Sequence, residues 1–335
     1  MKAMVMSKFG PPEGLQLKEV AKPVPKDDEV LIRVHATTAF AGDCELRSLK
    51  LPAEYRWLIW IYLSFFRPRP IILGQELAGE IEAVGRNVRR FQAGDQVFAT
   101  TSFSLGAYAE YKCMAEAPGM MGGALAIKPA NLTFAEAAAV PVGGLEALHF
   151  VRTTHIRSGE RVLINGAGGS IGTMVIQLAK GRGAEVTAVD HTEKLGMLRS
   201  IGADQVIDYT QADFTQSGQL YDVIIDVVGK SSVSRSLRAL KANGRYYLGN
   251  PSLSQRLRAR WTSPGSKQIL HGAGSQRPED LAHLRGLIEA GQLRPVIDRS
   301  YPLEQMAEAH RYVDQGHKQG NIVITVEHPR LRITS

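Results

Sequence analysis

Short apolar runs of strand-like composition fill the first third of the chain: residues 2–6, 15–20, 29–35, 77–84 and 96–99. Turn chemistry separates them at Gly10-Pro11-Pro12, at residues 23–28 and at Gly94-Asp95. Short strands at this spacing predict a barrel-like β domain. The texture changes near Asn131. Residues 134–139 and 145–152 are helical in composition. After them, strands are predicted at 161–165, 185–190, 205–208, 222–228 and 244–248, and helices at 171–182, 193–201 and 232–240. This alternation predicts a parallel sheet with helices on both faces. Two amphipathic helices, 278–290 and 303–313, and a last strand, 321–326, return to mixed structure. The reading is therefore an α/β protein in which a β-rich domain built from both ends of the chain carries an inserted α/β domain. The expected boundaries are 1–128, 129–270 and 271–335.

With 335 residues, 44% of them hydrophobic and 22% charged, the chain can bury a sizeable core. Two cysteines, Cys44 and Cys113, exclude a disulfide scaffold and a four-cysteine zinc knuckle. A cytoplasmic, reduced setting fits, since the N-terminus has no apolar signal stretch and no segment is apolar for the eighteen or so residues a bilayer needs. The net charge of +7 raises the question of nucleic acid, but a cofactor carrying two phosphates wants positive charge as well, so no nucleic-acid partner is expected.

The most informative stretch is Val162-Leu163-Ile164-Asn165-Gly166-Ala167-Gly168-Gly169-Ser170-Ile171-Gly172. It takes a buried strand through a glycine-rich turn into a helix. Glycines there let backbone approach a pyrophosphate, and the helix N-terminus supplies N–H groups and partial positive charge. The register is A-x-G-x-x-G through Ala167, Gly169 and Gly172, not the strict G-x-G-x-x-G. Asp190 ends the next strand at the spacing of a ribose-binding acid. A carboxylate there favours NAD(H). NADP(H) is the alternative, because His191 and Lys194 can offset repulsion of a 2′-phosphate.

With these motifs the chain resembles the medium-chain dehydrogenase/reductase superfamily, in its zinc-independent quinone oxidoreductase-like branch. The resemblance runs over nearly the whole chain. It is carried by Gly74-Gln75-Glu76-Leu77-Ala78-Gly79, Val84-Gly85, Gly94-Asp95-Gln96-Val97-Phe98, Gly106-Ala107-Tyr108-Ala109-Glu110-Tyr111, the glycine turn, Leu198-Arg199-Ser200-Ile201-Gly202-Ala203-Asp204, Asp226-Val227-Val228-Gly229 and Asn243-Gly244-Arg245. It implies a GroES-like β-barrel catalytic domain plus a Rossmann doubly wound parallel-sheet domain, with the active site in the cleft between them. By resemblance the cofactor-binding residues are Gly168, Gly169, Ser170 and Ile171 at the pyrophosphate, Asp190 and Lys194 at the ribose, and Tyr209 toward the adenine. Val227, Val228 and Gly229 belong beside the nicotinamide riboside, with Gly249, Asn250 and Asn321 also reaching the cofactor.

Zinc-dependent members hold their metal by Cys, His and Cys. Phe40, Gln75 and a position near Val142 stand in those places here, so no zinc is expected. The implied reaction is hydride transfer from NAD(P)H to a small lipophilic quinone or α,β-unsaturated carbonyl. The alternatives are a metal-free alcohol dehydrogenase and a non-catalytic nicotinamide-cofactor-binding protein. Two catalytic candidates follow. Asp43 ends the short motif after the first zinc position and is read as orienting the site. Glu146 stands where relatives carry Thr and is read as a proton donor if burial raises its pKa, or else as a solvent-facing or paired acid. Tyr108 and Tyr111 are read as packing. The aromatic stretch from Trp57 to Phe66, followed by Arg67 and Arg69, fits a helix over the barrel, a lid for a greasy substrate or a peripheral membrane contact. Residues 253–261, with Arg256, Arg258 and Arg260, form a second such stretch. A homodimer through a Rossmann edge strand near residues 246–248 is the family-based expectation.

Overall fold

Contacts divide the chain into two units. One holds Met1–Val142, Gln276–Glu289 and Ile297–Ser335, the other Gly143–Ser275 and Ala290–Val296. The structure is a computed structural model and describes residues 1–66, 70–117, 122–229, 231–249, 251, 266–272, 274 and 276–328. In chain order come β1 (Lys2–Met6), β2 (Leu15–Glu19), β3 (Glu29–Thr38), α1 (Ala41–Ser48), α2 (Ala53–Ile61), β4 (Ile71–Ile72), β5 (Glu76–Val84), β6 (Gln96–Thr100), β7 (Tyr111–Ala115), β8 (Ala124–Ile127), α3 (Phe134–Ala138) and α4 (Pro141–Thr153). The inserted part adds β9 (Arg161–Asn165), α5 (Ser170–Gly181), β10 (Glu185–Asp190), α6 (Leu195–Ser200), β11 (Gln205–Asp208), β12 (Tyr221–Asp226), α7 (Val233–Arg238), β13 (Leu240–Leu248) and β14 (Gln268–Leu270). The helix Pro278–Glu289, β15 (Ile297–Pro302), the helix Met306–Asp314 and β16 (Asn321–Thr325) close the chain.

In the first unit β3 is the organising strand. Val30, Ile32 and Val34 alternate into a core with Leu77, Ile81, Val97 and Leu125, as a half-buried strand with period two requires. β3 pairs antiparallel with β5 along one edge, and with β7 and then β16 along the other. A seven-stranded sheet results, and β2, β1 and β4 form a second. α3 begins with a capping box: Thr133 Oγ1 accepts from the Glu136 N–H, and the Glu136 carboxylate accepts from the Thr133 N–H. It packs on β3 and β5. For this reason the first unit runs to Val142, past the boundary expected at residue 128.

The second unit is a six-stranded parallel sheet in the order β11-β10-β9-β12-β13-β14. Strand order reverses between β9 and β12, the switch point at which such sheets bind ligands outside their carboxyl ends. Val162, Leu163 and Ile164 are fully buried, as expected for a strand covered on both faces. One expectation is corrected here. Residues 246–248 are not an edge: β13 is paired to β12 on one side and to β14 on the other, with Tyr246 against Ile269 and Tyr247 against Leu270. Among the described residues the edge is β14, a three-residue strand too short to stand out in the sequence.

Candidate functional site

The carboxyl edge of the parallel sheet gathers most of the residues expected to hold the cofactor. β9 ends at Asn165, and the glycine turn passes through Gly166 at φ +80° before α5 begins. A Cβ at Gly172 would lie 2.5 Å from the Gly166 carbonyl oxygen and 2.6 Å from Ala167 Cα, so only glycine lets α5 pack this closely on the turn. Gly169, the N-cap of α5, is different. Its backbone is extended, at φ −90° and ψ −178°, and no heavy atom lies within 4 Å of a Cβ built there. The turn therefore leaves open space where the first turn of α5 directs its N–H groups and the positive end of its dipole. A pyrophosphate fits this cradle.

Asp190, at the end of β10, is buried and heavily engaged. Its carboxylate accepts from the Gly168 N–H at 2.7 Å and the His191 N–H at 2.8 Å, and pairs with Lys194 Nζ at 3.1 Å. Asp190 thus clamps the glycine turn, and Lys194 balances its charge. Tyr209 follows β11, exposed, with its N–H on the Asp190 carbonyl. Val227, Val228 and Gly229 follow β12. The Val227 N–H bonds the Asn165 carbonyl, and the Gly229 N–H bonds Asp226 Oδ1 at 3.0 Å. The Gly249 N–H bonds the Asp226 carbonyl after β13. Ser170 and Ile171 open α5. Asn250 lies outside the described residues, as do residues 253–261, Arg67 and Arg69. Asn321 is buried at the start of β16 in the first unit.

Glu146 lies on α4, with its carboxylate oxygens 3.3 and 3.4 Å from the Gly274 N–H. Burial raises its pKa, and this one backbone donor opposes the shift. One turn on, His149 has a buried Nε2 with no hydrogen-bond partner among the described residues, and burial lowers its pKa.

The first unit has a polar interior of its own. Asp43, on α1, is fully buried, and its Oδ1 accepts from the Gly74 N–H at 3.2 Å and Gln75 Nε2 at 3.4 Å. Glu76 is equally buried. Its carboxylate accepts from Thr38 Oγ1 and, at 2.8 Å, from the Val142 N–H. Burial pushes both carboxyls up to about 7. Behind them, Tyr108, His310 and Arg47 form a buried chain that ends on Asp314. Cys44 packs at His310 Nδ1, 3.2 Å away, and burial pushes its thiol far up.

These shifts carry a pH prediction. An acid whose folded pKa is raised gives stability that is full below its unfolded pKa, near 3.8 for Asp43 and 4.5 for Glu76, and is lost as pH rises through about 7. His310, held down to about 3 by burial and by Arg47, acts with opposite sign below its unfolded value of 6.5. The two effects oppose each other below pH 6.5, and above it the carboxyls dominate. Stability is expected to fall by about 1 kcal/mol between pH 6.5 and 8, and Glu76→Gln is expected to flatten that fall. Thermal unfolding across this range checks it. A wild-type midpoint that stays level would contradict two buried carboxyls titrating near neutrality.

The aromatic stretch is not an ordinary buried cover. Leu63 is buried, but Trp57, Leu58, Trp60 and Phe65 are exposed, Phe65 by 71%. Tyr62 reaches back, and its hydroxyl donates to the Phe103 carbonyl at 3.1 Å. No helix of the described residues is long and apolar enough to cross a membrane. Among the described residues, no three His, Cys, Asp or Glu side chains gather as a metal site. Phe40, Gln75 and Val142 are placed as follows: Phe40 is the N-cap of α1, the Gln75 amide bonds Asp43, and the Val142 N–H bonds Glu76.

The sequence reading missed Asp226 as the post that holds the β12 turn. It also missed the Arg47–His310–Tyr108 chain. Asp226 had a signal, the last polar residue of an apolar strand. The chain had none, because its members are brought together only by the fold.

The comparisons with known proteins agree along the chain. The family model "Alcohol dehydrogenase GroES-like domain" matches residues 26–150, and "Zinc-binding dehydrogenase" matches residues 201–324. The NADPH-dependent alkenal/one oxidoreductase, chloroplastic, of Arabidopsis thaliana is 31% identical over 97% of this chain and 79% of its own. The solved quinone oxidoreductase of Coxiella burnetii superposes with a TM-score of 0.86 at 27% identity, covering 98% of this chain and 99% of that one. The Escherichia coli quinone oxidoreductase, solved with NADPH, gives 0.79 at 26% identity, over 97% and 100%.

Proposed function

This chain belongs to the medium-chain dehydrogenase/reductase superfamily, in its quinone oxidoreductase-like branch, and on that premise we propose that it reduces lipophilic α,β-unsaturated carbonyls or quinones without zinc. It is an NAD(P)H-dependent oxidoreductase. The observation that carries the proposal is the open cradle at Gly169, whose edge also bears Asp190, Lys194 and the β12 turn.

A bound reduced nicotinamide supplies the hydride. In our reading the chain does the rest. Gly168, Gly169, Ser170 and Ile171 receive the pyrophosphate, and Tyr209 flanks the adenine. Val227, Val228, Gly229 and Gly249 shape the riboside end, and Asn250 and Asn321 complete the set. Glu146, whose pKa burial raises, is the proton-donor candidate. Asp43 touches no solvent and acts by holding the Gly74–Gln75 turn in place. Phe40 and Val142 offer no side-chain donor to a metal, which is the ground for reading the reaction as zinc-free. Reduction of an activated acceptor, unlike oxidation of an alcohol, does not require a Lewis acid to stabilise an alkoxide.

Asp190 alone would favour NADH. The Lys194 ammonium 3.1 Å away cancels that bias, so we read the site as accepting NADPH as well. The test follows NADH and NADPH oxidation with an enone and a small quinone after dialysis against a chelator. Turnover is expected to survive chelation. Lys194→Ala is expected to raise the NADPH KM about tenfold while changing the NADH KM little, one phosphate contact being worth about 1.4 kcal/mol. Activity that vanishes on chelation and returns with zinc would sink the zinc-free reading. Tight cofactor binding without turnover of any acceptor would point instead to a cofactor-binding protein.

A further inference from the structure

Three features of the first unit converge on Gln75. The first is the buried polar chain. Arg47 Nε can only donate, and it donates to His310 Nδ1 at 3.2 Å. The neutral imidazole, held neutral by its low pKa, therefore carries its proton on Nε2 and donates to the Tyr108 hydroxyl oxygen at 3.0 Å. The Tyr108 hydroxyl also lies near the Asp43 carboxyl and counters part of the rise in that carboxyl's pKa. The order of donation is Arg47 to His310 to Tyr108. These three and Asp43 are at most 1% exposed, and among the described residues Asp43 Oδ2 has no hydrogen-bond partner.

Beside Asp43 stands Gln75, only partly buried. Its Nε2 donates to Asp43 Oδ1, and among the described residues Asp43 is the one partner of its side chain. The nitrogen lies toward Asp43, one N–H is used and the second is left to give. Gly42 leaves the room: a Cβ there would stand 2.9 Å from Gln75 Nε2 and 3.0 Å from the Phe40 ring.

The second feature is strain. Gly74, at φ +102°, lets the turn lie on Tyr108, where a Cβ would stand 2.5 Å from the ring. The next loop bonds this turn through the Thr101 N–H to the Gln75 carbonyl, at 2.7 Å, and Thr101 Oγ1 to the Gly74 carbonyl, at 2.9 Å. That loop holds two non-glycine residues at positive φ, Ser102 at 48° and Leu105 at 50°. Such residues persist where the surroundings over-determine them, and they cluster at ligand sites. The third feature is the apolar rim. Phe103 of the same loop is 45% exposed, and Tyr62 ties it to the exposed aromatic stretch.

We propose that Gln75 binds substrate: its outward amide N–H donates to the carbonyl oxygen of the acceptor, whose flat apolar body lies on the rim formed by Phe103 and the aromatic stretch. This rests on the reductase reading above. When hydride reaches the β-carbon of an enone, the C=C pair shifts toward the α-carbon and the carbonyl oxygen becomes an enolate oxygen. A positioned N–H stabilises that charge, the task a Lewis acid would otherwise perform. The α-carbon then takes a proton through the donor of the reading above, replenished from water, so the acceptor gains two electrons and two hydrogens while the nicotinamide is oxidised.

The experiment compares the full-length enzyme with Gln75→Leu and Gln75→Met, two variants at a part-exposed position that keep bulk and remove the donor. With an enone and NADPH, kcat is expected to fall about 100-fold in both, as for loss of one oxyanion donor. The NADPH dissociation constant, read by cofactor fluorescence, is expected to hold. The second readout needs no turnover. p-Nitrophenol bound with oxidised cofactor mimics the enolate, and its absorbance reports its ionisation. The wild type is expected to ionise it at lower pH than either variant does. Variants that keep kcat within threefold and titrate the phenol as the wild type does would overturn the proposal. A wild type that reduces no acceptor would overturn the reductase reading instead, and the phenol titration would still decide the role of Gln75.

Discussion

Gly169→Val is expected to weaken binding of either nicotinamide dinucleotide by about 1000-fold while leaving the fold in place. The backbone at Gly169 is extended, a conformation open to any residue, and no atom of the chain lies within 4 Å of the added Cβ. Losing glycine at the N-cap costs the helix only about 1 kcal/mol. The valine methyls would instead fill the space left for the pyrophosphate. Gly172→Ala provides the contrast. Its Cβ would collide with backbone at Gly166 and Ala167, so α5 must move off β9, and stability is expected to fall together with binding. Calorimetric titration beside thermal unfolding separates the two. If Gly169→Val bound cofactor as tightly as the wild type, the open cradle would not be where the pyrophosphate sits.

Those two glycines also show why this part of the site was legible. A buried strand, a glycine run and a helix follow one another within a dozen residues, and local sequence fixes their geometry. The same holds for the strands of the parallel sheet, which are apolar throughout and bounded by turns. Elements held together by distant contacts were not legible. α1, Ala41–Ser48, has no side-chain cap and no continuous apolar stripe. It buries Asp43, Cys44 and Arg47, of which Cys44 and Arg47 meet His310, more than 260 positions away. β7 and β14 are short and draw their definition from the strands beside them. The stretch from Trp57 to Phe66 has a composition equally suited to a core helix and to an exposed lip. Only the packing of Leu63 inward and Phe65 outward tells them apart. Asp190 ends β10, as its spacing predicted, but its part in the turn was not legible. Its spacing pointed to a ribose, but its hydrogen bond to Gly168, 22 positions back, is tertiary.

Asp226→Ala is expected to destabilise the second unit by about 4 kcal/mol, within the range seen when one member of a buried charged network is removed. Asp226 is the last residue of β12 and has no exposed surface. Its carboxylate accepts from Asn165 Nδ2 at 2.9 Å, the Gly229 N–H at 3.0 Å, the Ser231 N–H at 3.3 Å and the Tyr246 hydroxyl at 3.0 Å, and also from Ser231 Oγ. Among the described residues these five donors are its partners. Alanine would leave its donors unpaired in a dry interior and free the turn that carries Val227, Val228 and Gly229. Cofactor binding is therefore expected to weaken along with stability. Tyr246→Phe removes one donor and leaves the others in place, and is expected to cost about 1 kcal/mol. Denaturant unfolding of the two single variants and the double variant measures the coupling. If Asp226→Ala proved no more costly than Tyr246→Phe, the carboxylate would not be the post on which the β9, β12 and β13 ends are tied.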